Sequence, residues 1–288
     1  MDKSAVLGVS DNVELAAKSA ICIRMADGVA GLFTTLYEKD VDRPISPASI
    51  TKLLTAATVL RISCTMGIPI TTQLSVLPSD IVEGSGKNLR EGDRLSVRHG
   101  LVNLLLASSN VSANVIARSF GSILLREEQE GTASGDAMER FVAEMNSVAG
   151  DLRMSASRFL NAHGLAIRGQ RSTARDLSRL VRECLQHPLI CGLWGLEKYG
   201  IQIDGPDARR LVVRSIFRES SRKAIPDFAL PQFKGGKSGT LWPSVFNLAA
   251  VSETANGDLI ISVTMGSPSL IDRHRDYLSM VKIGNEVV

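Results

Sequence analysis

The sequence predicts an α/β protein in which an antiparallel sheet is flanked by helices and an all-helical subdomain is inserted between the strands. Strand-like runs occupy both ends of the 288-residue chain, helical periodicity fills its middle, and a last helix follows the final strands. Strands from both ends that enclose a helical block are expected to pair in one sheet. We expect the inserted subdomain at about residues 60–170 and the α/β part at residues 1–59 and 171–288.

The N-terminal segment is predicted to form two strands and a helix. Residues 18–25 and 31–39 have the alternation of strands, and Ala26-Asp27-Gly28 between them is a turn signal. Ser46-Pro47 has the pattern of an N-cap followed by a proline in the first turn. Apolar residues then recur at helical spacing through residues 50–60. A buried helix is therefore expected to begin just before Ser49.

The middle of the chain is predicted to be helical. Ser96 can cap a helix that ends near Ser108, and helical spacing recurs at residues 111–120, 137–148 and 173–186. The small polar residues at 131–135 indicate a loop, and residues 161–172 indicate a longer one because they have no periodicity.

The C-terminal segment is predicted to return to strands. Runs of strand character cover residues 211–216, 235–240, 246–251 and 259–265, and Asn256-Gly257 is a hairpin turn between the last two. A final helix is expected at about residues 270–281. We find no repeat or linker, so residues 1–288 are expected to form one domain.

Composition excludes several classes of function. The chain is 44% hydrophobic and 22% charged, with a net charge of +3 and both signs interspersed, so nucleic acid is not an expected partner. Its longest apolar runs are too short to cross a bilayer, and the N-terminus has no apolar signal-peptide core. Four cysteines and four scattered histidines show no metal-ligand spacing, so no metal is expected. The cysteine positions do not decide whether disulfides form.

Three short motifs follow one another in the chain. They are Ser49-Ile50-Thr51-Lys52, Ser108-Ser109-Asn110 and Lys237-Ser238-Gly239-Thr240. Each is weak alone, because similar matches occur at Ser10-Asp11-Asn12, at Ser112 with Asn114 and at Ser220 with Lys223. The first set differs in its context. Ser49 and Lys52 lie three residues apart in the first turn of an apolar helix, which brings the hydroxyl within reach of the amine.

That pairing indicates an activated nucleophile. A serine hydroxyl needs a base to take its proton, and a lysine can be that base when burial or a neighbouring cation lowers its pKa. Lys237 would supply the neighbouring cation. The backbone N–H of Ser49, at the positive end of a helix, is suited to stabilise the oxyanion formed when the serine attacks a carbonyl.

With these motifs the chain resembles the serine D-alanyl-D-alanine carboxypeptidases, the low-molecular-mass penicillin-binding proteins that share the signature with serine β-lactamases. The similarity extends over about residues 17–283 and includes Ala17-Lys18-Ser19-Ala20, Leu95-Ser96-Val97, Met145-Asn146, Asn161-Ala162-His163-Gly164-Leu165, Ser172-Thr173-Ala174-Arg175-Asp176-Leu177 and Asn247-Leu248.

The resemblance implies a role for each motif residue. Ser49 would be the acylated nucleophile and Lys52 its base. Ser108 would relay a proton to the leaving D-alanine, and Asn110 would hold the substrate's peptide amide. The strand with Lys237, Ser238, Gly239 and Thr240 would receive the terminal carboxylate, and the backbone N–H groups of Ser49 and Thr240 would form the oxyanion hole. His163 would be a neighbour only.

The resemblance also implies the substrate and the cellular location. The substrate would be a peptidoglycan stem peptide, β-lactam antibiotics would acylate the same serine as inhibitors, and no cofactor would be needed. The enzyme would work in the cell envelope, periplasmic or extracellular, although the sequence of residues 1–17 is not expected to act as a signal peptide. Only 48 residues follow the third motif, so no C-terminal β-rich domain is expected.

Two positions depart from the family pattern. Ser238 stands where threonine is commoner, and Val245-Phe246 stands where relatives often have an aromatic glycine pair.

Three different functions compete with the one implied by the resemblance. A serine β-lactamase would need a carboxylate that activates water. Glu144 lies at a distance after the second motif that allows this comparison, but it is expected to be an ordinary helix residue. The same serine would also serve a broad esterase or amidase, and an idle binding module would keep the scaffold without the reaction.

Overall fold

The computed structural model describes residues 13–26, 33–128 and 136–286. The strands are β1 (Ser19–Met25), β2 (Phe33–Lys39), β3 (Gln73–Ser75), β4 (Arg94–Ser96), β5 (Lys198–Ile203), β6 (Arg209–Arg214), β7 (Phe233–Leu241), β8 (Val245–Glu253) and β9 (Leu259–Ser267). The helices are α1 (Thr51–Thr65), α2 (Val97–Leu105), α3 (Asn110–Glu128), α4 (Ala137–Asp151), α5 (Ala174–Leu185), α6 (Pro188–Leu193), α7 (Ile216–Ala224) and α8 (Leu270–Glu286).

The main sheet has five antiparallel strands in the order β2-β1-β9-β8-β7, which confirms the predicted fold class. The N-terminal hairpin joins the C-terminal strands through β1 and β9, where Ile21 pairs with Val263 and Ile23 with Ile261. At the other end, Lys237 of β7 pairs with Ala249 of β8. Strand β7 is therefore an edge strand of the sheet.

Both faces of this sheet are covered by helices. Successive side chains of a strand point to opposite faces, so each strand contributes to both cores. On β1, Ile21 and Ile23 point into the core that contains α1 and α5. Ala20 and Cys22 point the other way and pack against Met280 and other residues of α8. The sheet is thus sandwiched between the C-terminal helix and the helices that follow the first motif.

Helix α1 lies in the middle of the molecule, packed by α2, α3, α4 and α5. The segment at about residues 60–170 is mainly helical, and α2 begins at the predicted cap, where the Ser96 hydroxyl accepts a hydrogen bond from the His99 amide. The same segment also contains the hairpin β3-β4, in which Leu74 pairs with Leu95. Strands of three residues are too short to show periodicity, which is why the sequence did not indicate them.

The start of α1 differs from the prediction. Ser46 does not cap the helix: a 3₁₀ turn covers Ala48–Ile50, and α1 begins at Thr51. Ala48 has φ +50°, a left-handed conformation that an α-helix cannot contain. The Ser46 hydroxyl is buried without a hydrogen-bond partner, while the Ser46 carbonyl accepts a bond from Asn247.

The strand expected at residues 211–216 is a second difference. It forms at Arg209–Arg214 as β6, but it pairs with β5 in a separate two-stranded sheet and not with the main sheet. Exposed residues alternate with more buried ones along β6, as expected of a strand with one face in solvent, and this pattern does not determine which sheet the strand joins. The predicted turn at Ala26-Asp27-Gly28 and the loop at 131–135 involve residues outside the described ranges.

Three further findings concern the cysteines, membrane-spanning helices and metal ligands. The four cysteines are free thiols, and burial raises the pKa of Cys22 to about 12. Within residues 13–26, 33–128 and 136–286, no helix has the length and apolarity needed to cross a bilayer. The same residues contain no cluster of histidine, cysteine and acidic side chains that could hold a metal ion.

Candidate active site

Ser49 lies in the 3₁₀ turn that precedes α1, where the turn packs against β7 and β8 of the main sheet. Two contacts fix this turn. Asn247 donates to the Ser46 carbonyl at 2.9 Å and accepts from the Gly266 amide at 2.8 Å, which ties the turn to the sheet. Gly164 lies so close that a Cβ built on it would stand 2.0 Å from the Ala48 carbonyl oxygen. Ser49 is thus held on a strained turn at the junction of sheet and helices.

Lys52 is fully buried one turn beyond Ser49. Its Nζ lies 3.0 Å from Ser49 Oγ, 2.8 Å from Asn110 Oδ1 and 2.5 Å from the His163 carbonyl oxygen. A carbonyl oxygen can only accept, so Asn110 and His163 each receive an N–H of the lysine. The remaining position on the nitrogen is directed at the serine hydroxyl.

Burial lowers the pKa of Lys52 well below its ordinary value of 10.5, and the positive charge of Lys237 lowers it further. The amine is therefore driven toward its neutral form. A neutral amine has two N–H groups and one lone pair. With both N–H groups on the carbonyl oxygens of Asn110 and His163, the lone pair points to the hydroxyl of Ser49.

The second motif forms the link between α2 and α3. Ser108 has φ +57°, and its hydroxyl is buried without a hydrogen-bond partner. Asn110 begins α3: its Oδ1 accepts from Lys52 and its Nδ2 donates to the Glu83 carbonyl at 2.8 Å. The second N–H of this amide has no partner among these contacts, and we propose that it donates to the substrate.

Asn103 holds this link in place and was not indicated by the sequence. Its carbonyl accepts a bond from the Ser109 amide at 3.1 Å. Its side-chain nitrogen donates to Ser112 Oγ at 2.8 Å and to Asn88 Oδ1 at 2.9 Å. One buried asparagine therefore connects α2, the start of α3 and the loop before β4.

The third motif lies on β7. Lys237 is buried, and its ammonium donates to the Ser238 carbonyl at 2.9 Å. Burial and the nearby charge of Arg273 lower the pKa of Lys237 to about 7. Ser238 and Thr240 alternate with Lys237 along the strand and line the cleft beside Ser49.

Arg273, in the first turns of α8, is a functional candidate that the sequence analysis missed. It is 1% exposed, and its guanidinium donates to Thr240 Oγ1 and Ser221 Oγ, both at 3.4 Å. Burial lowers its pKa to about 10. In the described part of the chain, Lys52, Lys237 and Arg273 form no ion pair with an acidic group. The buried charges of Lys237 and Arg273, with no counter-ion there, favour an anionic ligand.

The cleft beside Ser49 and Arg273 has a volume of about 160 Å³. Its lining residues are Ser49, Ser85, Ser108, Ile216, Ser220, Ser238, Thr240, Trp242, Leu270 and Arg273. None of these described residues is acidic. The cleft therefore combines a serine in contact with a buried lysine, several hydroxyl groups and the guanidinium of Arg273.

The remaining sequence candidates fall outside this arrangement. Glu144 pairs with Arg140 at 3.0 Å on α4 and does not line the cleft. Ser220 does line it, but its hydroxyl bonds to the Phe217 carbonyl and Lys223 is exposed, so no buried amine activates it.

The other two motif matches are accounted for differently. Ser112 accepts the bond from Asn103, and Asn114 donates to the Asp80 carbonyl at 3.2 Å. Ser10-Asp11-Asn12 lies outside the described residues.

His163, expected as a neighbour, takes part through its backbone carbonyl. Its ring Nδ1 accepts a bond from the Leu165 amide at 3.1 Å. Burial and the nearby Lys52 lower the ring's pKa to about 4, so the ring is neutral near pH 7. A backbone contact of this kind has no signature in sequence.

The chain is similar in sequence to one known protein family. Residues 6–269 match the peptidase S11 family, described as D-alanyl-D-alanine carboxypeptidase. A D-alanyl-D-alanine endopeptidase of Pseudomonas aeruginosa is 31% identical over 62% of this chain and 50% of its own length. A D-alanyl-D-alanine carboxypeptidase of Streptomyces sp. strain K15 is 28% identical over 54% of this chain and 52% of its own. The matches thus span about half the length of these relatives.

Solved structures match the fold over nearly the whole chain. The Streptomyces K15 DD-transpeptidase superposes with a TM-score of 0.77 at 20% identity, covering 94% of this chain and 98% of that one. Penicillin-binding protein D2 of Listeria monocytogenes, solved in an ampicillin-bound form, gives a TM-score of 0.71 at 20% identity, covering 95% and 99%. At this identity the likeness establishes the fold.

Proposed function

This chain belongs to the D-alanyl-D-alanine carboxypeptidase family, and on that basis we propose that it removes the terminal D-alanine from peptidoglycan stem peptides through an acyl-enzyme on Ser49. The observation that carries the proposal is the contact between Lys52 Nζ and Ser49 Oγ at 3.0 Å, with the lysine fully buried. We also propose that one catalytic domain performs the reaction, with the mainly helical part at about residues 60–170 inserted in the α/β part.

Acylation would begin with transfer of the Ser49 proton to the neutral amine of Lys52. The serine oxygen forms a bond to the carbonyl carbon of the penultimate D-alanine, and the carbonyl π electrons move to its oxygen. The backbone N–H groups of Ser49 and Thr240 would stabilise that oxyanion. When the C–N bond breaks, the electrons of the oxyanion re-form the carbonyl, and Ser108 would give its proton to the leaving amine while it takes the proton held by Lys52. Free D-alanine then departs, and Ser108 and Lys52 have recovered their initial protonation states.

Deacylation would reverse these steps with water in place of the amine. Water gives a proton to the site's base and its oxygen bonds to the ester carbon. The ester bond then breaks, and Ser49 recovers a proton. The products are the shortened peptide acid and the free enzyme.

The cationic end of the cleft would hold the terminal carboxylate of the substrate. Arg273 lies against Thr240 there, and Lys237 is buried beside Ser238. A carboxylate would give these two cations the counter-charge that they lack in the described structure. This arrangement accounts for an enzyme that selects a free C-terminus, which an esterase of broad specificity does not need.

We propose that β-lactams acylate the same serine and are released slowly. Their strained amide can undergo the same attack by Ser49. None of the described cleft-lining residues carries a carboxylate that could activate water, and Glu144 is engaged by Arg140. A β-lactamase that relies on a carboxylate for its hydrolytic step would therefore find none among these described residues. Because the proposed substrate is cell-wall peptide, we place the enzyme in the cell envelope.

Release of D-alanine from a peptide that ends in D-Ala-D-Ala tests the proposal. Wild-type protein is expected to release one D-alanine per peptide, and Ser49→Ala none. The exposed Ser155→Ala is a matched control that should retain full activity. A peptide that ends in D-Ala-L-Ala should be inert. Release by Ser49→Ala at the wild-type rate would refute the assignment of the nucleophile.

A further inference from the structure

Trp242 is a large apolar side chain left open at the active-site cleft. It is 75% exposed, far more than is usual for tryptophan, and it lines the same cleft as Ser49. It is the first residue of the turn between β7 and β8, and its side chain lines the cleft together with Ser238 and Thr240.

The Trp242 ring is held in place from behind. Phe246, on the paired strand β8, is 1% exposed and meets the Trp242 ring edge-on at 5.2 Å between centroids and 86° between planes. Aromatic pairs in this geometry are attractive. Phe246 therefore holds the indole in position, and the exposed surface of the indole at the cleft is available for contact with a substrate.

The order of groups along β7 shows which part of a substrate would cover it. Strand β7 is an edge strand, and an extended peptide can lie antiparallel along such an edge. In the proposed function the terminal carboxylate lies toward Lys237 and Ser238, and the scissile carbonyl lies at Thr240. In an antiparallel peptide, the residues before the scissile bond then run toward the C-terminal end of β7, where Trp242 begins the turn to β8.

We infer that Trp242 determines specificity for the acyl part of the substrate: it contacts the side chain of the residue that precedes D-Ala-D-Ala and favours a long aliphatic chain there. The inference rests on the proposed function. The exposed indole can bury several methylene groups, whereas the methyl group of the leaving D-alanine would cover little of it. Ile216 and Leu270 supply further apolar surface in the same cleft.

A pair of peptides tests this inference. One is N-acetyl-X-D-Ala-D-Ala with Nε-acetyl-lysine at X, and the other has glycine at X. Trp242→Ala should lower kcat/KM about tenfold for the lysine peptide and less than about twofold for the glycine peptide. Trp242→Phe should keep most of the preference because it keeps an aromatic face. Val212→Ala, an exposed apolar residue on β6, is the matched control and should change neither.

Tryptophan fluorescence gives a second readout. The chain has two tryptophans, and Trp194 is 5% exposed, so acrylamide should quench mainly Trp242. Acylation by benzylpenicillin, which has a large acyl side chain, should protect Trp242 from the quencher. Acylation by 6-aminopenicillanic acid, which has none, should leave it quenched. Intact-mass measurement verifies that both adducts form.

The outcomes separate the two proposals. If the wild type releases no D-alanine from either peptide, the proposed function fails and this inference fails with it. If it releases D-alanine but Trp242→Ala slows both peptides equally or neither, only the inference fails. The same holds if the effect of Trp242→Ala follows the identity of the C-terminal residue, or if both penicillin adducts are quenched alike.

Discussion

Gly239 and Ser49 touch through their backbones: a Cβ built on Gly239 would stand 3.1 Å from the Ser49 nitrogen and 2.6 Å from the Pro47 carbonyl oxygen. The third motif is thus pressed directly against the turn that carries the nucleophile. No side chain fits between them, so glycine is required at this position by space and not by its φ angle. This contact holds β7 against the turn that carries one of the two backbone N–H groups proposed for the oxyanion hole.

Gly239→Ala should therefore slow acylation about 100-fold, because a shift of about 1 Å in the turn is enough to misplace reacting groups. The rate of benzylpenicillin adduct formation measures the effect. Gly150→Ala is the matched control, since its Cβ would meet nothing within 4 Å on α4. That control should keep its rate and gain about 0.5–1 kcal/mol of stability. A normal acylation rate in Gly239→Ala would contradict the proposed geometry.

The activity should depend on pH in a bell-shaped manner. Lys52 must be neutral to accept a proton, so kcat/KM rises with pH through the lowered pKa of Lys52. Lys237 must be charged to attract the terminal carboxylate, so kcat/KM falls as pH rises past about 7, where Lys237 loses its proton in the free enzyme.

Lys237→Gln tests this assignment. The descending limb should disappear, and the ascending limb should move to higher pH because the charge that lowers the pKa of Lys52 has been removed. A descending limb that persists near pH 7 in Lys237→Gln would show that another group controls it.

Lys237→Met should be more stable than the wild type while losing activity. The pKa of Lys237 is about 7 in the folded protein and ordinarily 10.5, so the unfolded chain binds an extra proton between these values and stability rises with pH across that window. The cost of burying the lysine is present in full below about pH 7. Replacement by an apolar residue should then raise the free energy of unfolding by about 1–4 kcal/mol at pH 6 and by less at pH 9. Urea unfolding at the two pH values measures this, and an equal gain at both would contradict it.

Arg273→Gln should weaken recognition of the free C-terminus. A charged hydrogen bond to a carboxylate contributes about 1.5–3 kcal/mol, so kcat/KM for a peptide ending in D-Ala-D-Ala should fall about 10–100-fold. The same peptide with a C-terminal amide should be cleaved poorly and equally by both proteins. Arg275→Gln, at an arginine 74% exposed on the same helix, is the control and should retain wild-type kinetics. A uniform loss on both peptides would indicate a structural role for Arg273.

The fold and the motif residues could be predicted because their signals are local. Alternating or apolar runs of strand character marked β1, β8 and β9, and helical spacing after the first motif marked α1. The three motifs were recognisable as short strings, and their order along the chain distinguished them from chance matches. The structure brings Lys52 into contact with Ser49 and Asn110.

The rest depends on packing between distant segments. Arg273 reaches the cleft because α8 packs on the sheet, and nothing in its neighbourhood in sequence marks it. The His163 carbonyl and the Asn103 network act through backbone atoms and buried amides, which no motif specifies. The pairing of β6 with β5 was missed because alternation identifies a strand and not its partner.

Intact-mass spectrometry after mixing the protein with benzylpenicillin is the decisive test of whether Ser49 is an acyl acceptor activated by Lys52. We expect a long-lived adduct with the mass of the intact drug, located on Ser49 by peptide mapping and absent from Ser49→Ala. An adduct on another residue, or no adduct on a folded protein, would show that this serine does not have the role assigned to it.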